Sequence, residues 1–250
     1  MDAAPRQPEN TRAPLLNRFN LLLIIIILVI VGVVSWLQLN NLTIAQGDYS
    51  GHLEMWASFQ QTGILSRAHV VYPIAANALA SLIGIESLAA GILLGSTAHA
   101  VTAIVTFWML RRAFPEGRFM GIVCAIASIG LAFAYAIYLL TLHENWRYLG
   151  YIPPTVTHSP TQELSKPMTL IIWGIVMSAL LPVRRSRWTT ILISALLCVI
   201  LIFTKPNYVL VLLPAAAVIT LIQMFRRKPI DWALLIGGFV IPSMIALIVQ

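Results

Sequence analysis

Residues 19–39 read FNLLLIIIILVIVGVVSWLQL, an unbroken run without Asp, Glu, Lys or Arg. A helix needs about 20 such residues to cross the hydrocarbon core of a bilayer. In lipid, every backbone N–H and C=O must be satisfied internally, so an apolar run of this length is read as a helix. Six further uncharged stretches follow, at 87–110, 119–142, 167–183, 188–204, 206–225 and 232–250. A transmembrane β-barrel would instead show alternating segments of about 10 residues. The expected fold is therefore all-α: a polytopic transmembrane helical bundle of about seven spans. Composition agrees. The chain is 59% hydrophobic, with a mean hydropathy of +0.85, against about 45–50% apolar residues in soluble domains.

The net charge of +7 is explained by its distribution. Arg6, Arg12, Arg18, Arg111, Arg112, Arg118, Arg184, Arg185, Arg187, Arg226, Arg227 and Lys228 all fall on alternate connections. Arg67, Arg147, Lys166 and Lys205 fall on the others. This is the positive-inside pattern, with a cytoplasmic N-terminus, and it leaves no call for a nucleic-acid partner. Residues 1–18, with Pro5, Pro8 and Pro14, read as a disordered cytoplasmic tail. The first span reads as a retained signal anchor, being too long for a cleaved signal peptide. Residues 19–250 then form one transmembrane domain. Its last span reaches Gln250 without a polar exit, so the domain is expected to be incomplete at the C-terminus. Cys124 and Cys198 lie inside spans and read as packed thiols.

The polar residues concentrate in two outer loops, 40–86 and 143–166. The first holds Gly47-Asp48-Tyr49-Ser50-Gly51-His52-Leu53-Glu54-Met55, a dense grouping in a chain with only 10% charged residues. Apolar residues at Leu53, Trp56 and Phe59 have helical spacing. A second apolar stretch at 73–83 opens on Pro73, which suits a first helical turn. Both are expected to be short amphipathic helices on the outer surface.

Asp48 and His52 are four apart, on one helical face, while Glu54 points elsewhere unless the backbone bends at Gly47 or Gly51. Asp48 can act as a general base, or with His52 can ligate a divalent metal; its structural alternative is a helix N-cap. His52 and Glu54 are further catalytic candidates, with a solvated surface role as the alternative.

The second loop brings His143, Glu144, Arg147 and His158 to the same side. Arg147 can hold a phosphate by a bidentate fork and Lys205 as a point charge. Interfacial anchoring beside Trp146 is the rival reading for Arg147, and snorkelling for Lys205. The segment His158-Ser159-Pro160-Thr161 reads as a substrate-binding loop or a simple turn. His99, inside the second span, is expected to pack by hydrogen bonding against other helices. No Gly-rich phosphate loop, zinc-type Cys/His spacing or serine nucleophile elbow is present.

On these residues the chain resembles the GT-C class of polytopic membrane glycosyltransferases. Asp48 in the first outer loop, Val71-Tyr72-Pro73, His158-Ser159-Pro160-Thr161 with Lys166-Pro167, and Thr204-Lys205-Pro206-Asn207-Tyr208 are similar to short motifs of that class. The resemblance implies transfer of a sugar from a polyprenyl-phosphate donor on the outer face of a bacterial plasma membrane. Asp48 would be the base or a metal ligand, and Arg147 or Lys205 would hold donor phosphate. No second acidic residue adjoins Asp48, unlike the paired acids of many members. The alternatives are a transporter or flippase, which predicts ionisable residues at mid-membrane, and a non-catalytic membrane scaffold. In the sequence only His99 meets the first expectation.

Overall fold

A computed structural model describes residues 17–46, 48–63, 69–114, 117–133, 159–181 and 186–250. Residues 1–16 of the tail expected at 1–18, and Arg147 and His158 of the second loop, lie outside the described residues. Among the described residues the chain is helical and carries no strand.

The helices are α1 (Arg18–Gln46), α2 (Asp48–Thr62), α3 (Val71–Ile83), α4 (Ser87–Ala113), α5 (Arg118–Phe133), α6 (Pro160–Leu180), α7 (Trp188–Thr204) and α8 (Pro206–Phe225). A π-helical segment, Ala233–Val240, then runs directly into α9 (Ile241–Val249). Four of these are long and apolar enough to cross a membrane: Arg18–Asn40 of α1, then α4, α6 and α8. The remaining apolar stretches are helical over shorter lengths, 16 residues in α5, 17 in α7, and 8 plus 9 in the last pair.

Local chemistry explains several boundaries. Pro160 and Pro206 each open a helix, where the missing N–H is unneeded and φ is already helical. Gly84 closes α3 in the left-handed conformation (φ 72°), its N–H returning to Ala80 O, as C-terminal glycines do. The helix α6 starts at Pro160, so residues 160–166, expected in the second outer loop, form its first two turns.

The apolar core has three parts. Leu23, Ile27 and Val31 of α1 pack with Ala103 and Phe107 of α4 and Cys124 of α5. A larger cluster joins Ile172 and Val176 of α6, Leu201 and Ile202 of α7, Val209 of α8 and Phe239 of the π-helical segment. The third part sits where the segment carrying α2 and α3 meets the bundle: Leu39, Tyr49, Tyr72, Ala76 and Ile92, with Leu164 of α6 against it.

Both tyrosines of this third cluster land on glycines of α4. A β-carbon at Gly91 would overlap the Tyr72 hydroxyl, and one at Gly95 would lie 2.7 Å from the Tyr49 hydroxyl. The buried face of α3, Tyr72, Pro73, Ala76 and Ala80, is thus docked on the bundle. The expected two short helices of the first loop are present.

At the opposite end of α6, Asp231 ties three segments together. Its N–H donates to Ala179 O at 2.8 Å. Its carboxylate accepts from Ser186 N at 2.7 Å and Leu234 N at 3.3 Å. Much of the outer surface of α1 and α8 is apolar, including Leu22, Val29, Val33, Val211 and Phe225. That surface suits association with membrane lipid.

Candidate functional site

The first loop and the α7–α8 turn converge at one end of the bundle. The helix α2 opens at Asp48, one residue before Tyr49, whose ring is anchored over Gly95. His52, one turn further along, is half-buried. Its ring stands edge-on to Tyr72 at 5.9 Å and to His69 at 5.8 Å between centroids. Tyr49 and Tyr72 are in edge contact at 5.7 Å.

His69 is the joint of this group. It sits in the left-handed region, φ 65°, a conformation costly for a residue with a β-carbon. Its Nδ1 lies 2.9 Å from the Thr204 carbonyl. A carbonyl only accepts, so Nδ1 carries the proton there. That bond closes 135 residues of chain and sets the first loop beside Lys205. Lys205 lies between α7 and α8 in extended backbone, its N–H donating to Leu201 O at 2.7 Å.

A second polar group lies deeper. Glu163 of α6 is fully buried, and Lys166 one turn on donates from Nζ to Glu163 Oε1 at 2.6 Å. Glu163 Oε2 makes no hydrogen bond and stands 3.7 Å from His99 Nδ1. The other His99 nitrogen, Nε2, donates to Ala132 O at 2.7 Å. With that proton assigned, Nδ1 of the neutral ring accepts from Ser35 Oγ at 3.1 Å. His99 thus makes the interhelical hydrogen bonds expected of it, joining α1, α4 and α5. On α6, Gln162 meets the Tyr208 hydroxyl of α8. The α7–α8 turn is therefore flanked by His69 on one side and by the start of α6 on the other.

Of the sequence candidates, the structure brings together His52 and the Lys205 turn, and places Asp48 at the head of the same helix. Glu54 is exposed and does not join the cluster, as its spacing from His52 requires on a regular helix. Among the described residues, no group of three or more His, Cys, Asp and Glu is placed to hold a metal ion. Within the cluster the nitrogen ligands available are His52 and His69.

The sequence reading did not single out His69 or Glu163. It also found His99 the lone ionisable residue within the spans, whereas Glu163 and Lys166 share α6 with the apolar run that follows. The Glu163/Lys166 spacing of three was a usable signal, since it pairs side chains on a helix; placing these residues in a loop hid it. His69 carried no local signal, because its partner is remote.

No family model matches the chain, and comparison with curated proteins and with solved structures finds no match either.

Proposed function

We propose that this chain is a membrane glycosyltransferase of about seven spans that takes a sugar from a polyprenyl-phosphate donor at the outer membrane face. The observation that supports the reading most is the His69–Thr204 hydrogen bond. It sets two segments, each proposed for a different part of one reaction, against each other. Transfer needs a base near the acceptor and a cation near the leaving phosphate, both within reach of one sugar.

Asp48, at the head of α2, takes the proton of the acceptor hydroxyl. The acceptor oxygen bonds to the anomeric carbon as the bond from that carbon to the phosphate oxygen breaks. The electron pair leaves with the polyprenyl phosphate, whose charge Lys205 balances. His52, held edge-on by His69 and Tyr72, borders the acceptor side. Arg147 and His158 are further candidates on the donor side. A divalent ion, if used, would draw on Asp48 and His52 and would polarise phosphate or acceptor oxygen.

One observation favours the transporter or flippase alternative: Glu163, Lys166 and His99 form an ionisable cluster inside apolar helices, where such residues mark transport paths. The two readings separate in proteoliposomes supplied with a radiolabelled polyprenyl-phosphate sugar and an acceptor. The transferase gives labelled product, lost in Asp48→Asn at normal protein level. Movement of label across the bilayer with no product supports the alternative. Full product formation by Asp48→Asn removes Asp48 from the mechanism.

A further inference from the structure

We infer that the end of the bundle around Asp231 is a docking surface for anionic phospholipid headgroups, with Arg187, Arg226, Arg227 and Lys228 as the cations that bind them. The inference is independent of the transferase reading.

The fold gathers these cations from two connections. Ser186 N donates to the Asp231 carboxylate at 2.7 Å, which brings the start of α7 to the segment that follows α8. Arg187 is the next residue after Ser186. Lys228 precedes Asp231 by three residues, so the chain keeps it within about 10 Å. All four cations are exposed, and among the described residues none of them is in a salt bridge. Asp231 is the one acidic residue between 181 and 232. It is buried, with its carboxylate turned to two backbone N–H groups. The outward charge of these segments is therefore positive.

The backbone holds three of the cations close together. Arg227 N–H returns to Met224 O and Lys228 N–H to Gln223 O, both at 2.9 Å. Arg227 stands at φ 52°, the left-handed position that closes many helices and is usually glycine. Here an arginine bears that conformation, and three successive cations leave the helix end as a group. The dipole of α8 favours cations in its last turn, but it gives no reason for arginine over glycine at the strained position. A partner carrying several negative charges does.

Exposed rings decide which anion fits. Trp188 is 77% and Phe225 85% exposed, and each adjoins a cation, Arg187 and Arg226. Phe225 ends a helix long and apolar enough to cross a membrane. Its ring and the adjoining guanidinium thus straddle the depth where acyl chains give way to headgroups. Anionic headgroups at that depth meet the cations while the rings stay in apolar surroundings. A soluble polyanion would satisfy the charges and leave the rings in water.

The test uses the full chain in phosphatidylcholine vesicles, with brominated phosphatidylglycerol or brominated phosphatidylcholine in both leaflets as tryptophan quenchers. The component of quenching lost in Trp188→Phe reports this surface. For that component the wild type is expected to favour brominated phosphatidylglycerol about tenfold or more. The preference should fall in about 1 M salt, where the Debye length is about 3 Å. Arg226→Gln/Arg227→Gln/Lys228→Gln should lose most of it, and Arg226→Lys/Arg227→Lys should keep it. Arg227→Gly relieves the backbone and removes one cation, so it should weaken the preference a few-fold in a protein at least as heat-stable as the wild type. Arg112→Gln/Arg118→Gln, at the α4–α5 connection, should leave the Trp188 component unchanged. An equal loss in that variant would make net charge the cause and overturn the inference. Abolition of the preference by excess inorganic phosphate would make the free anion the ligand and overturn the lipid assignment. Equal quenching by the two lipids in the wild type, or an undiminished preference in the triple glutamine variant, overturns it as well.

Discussion

The Tyr72 hydroxyl lies over Gly91 so closely that no β-carbon fits between them. Four residues on, Gly95 receives Tyr49 in the same way, at 2.7 Å from an added β-carbon. Glycines spaced by four in an apolar helix often let two helices approach closely. Here the spacing admits two aromatic rings from a neighbouring loop. Gly91→Ala is therefore expected to push α3 off α4 and to destabilise the protein by about 1–3 kcal/mol, the usual cost of overpacking. Tyr72→Phe in the Gly91→Ala background should recover part of the loss, because it removes the overlapping atom. Thermal unfolding in detergent reads both; an unchanged midpoint in Gly91→Ala would contradict the packing described.

Removing Lys166 alone should be worse than removing the pair. Lys166→Met leaves Glu163 buried without its ion partner, which costs about 3–5 kcal/mol. Glu163→Gln/Lys166→Met should recover most of that stability. Thermal unfolding midpoints of the two single variants and the double close the cycle. Additive losses would show that the two side chains do not act as a pair.

His69 separates backbone strain from side-chain bonding. His69→Ala keeps the strain that the wild type already bears at φ 65° and loses the bond to Thr204 O. His69→Gly relieves the conformation and loses only the bond, worth about 1 kcal/mol. Hydrogen exchange across α2 and α3 should rise in both variants, and further in the alanine variant. Equal protection in wild type and His69→Ala would mean that the bond does not hold the loop.

Asp231 anchors the opposite end. Asp231→Ala strips acceptors from the N–H groups of Ser186 and Leu234 and should cost about 1–2 kcal/mol, in the range of lost helix caps and buried hydrogen bonds. Asp231→Asn keeps one amide oxygen and should lose less. Thermal unfolding ranks the two, and a larger loss in the asparagine variant would contradict the capping geometry.

Much of the helical layout was legible because hydrophobicity and proline mark it locally. The runs 188–204 and 206–225 coincide with α7 and α8, bounded by Arg187 and by Pro206. The run 87–110 falls short of the end of α4 at Ala113, because Arg111 and Arg112 end the apolar pattern without ending the helix. The start of α6 was misplaced at Pro167, which sits inside the helix, while Ser159 and Pro160 carried the true N-terminal signals. At the site, the helix α2 that carries Asp48 and His52 could be read from spacing alone. The His69–Thr204 and His99–Glu163 contacts could not. They span 135 positions in the first case, and helix packing, not local pattern, creates both.

The meeting of α4 and α6 has one mechanical consequence. Most apolar helix contacts tolerate small slips, since one aliphatic side chain can replace another against a groove. This seam cannot. Moving α6 along α4 by a single helical turn, about 5.4 Å, would carry the Glu163 carboxylate past His99 and out of the packed position in which it is fully buried. The buried charge therefore works as a key in a keyway: it gives two greasy cylinders one permitted register. The lysine it carries inherits that register as a fixed height in the bundle.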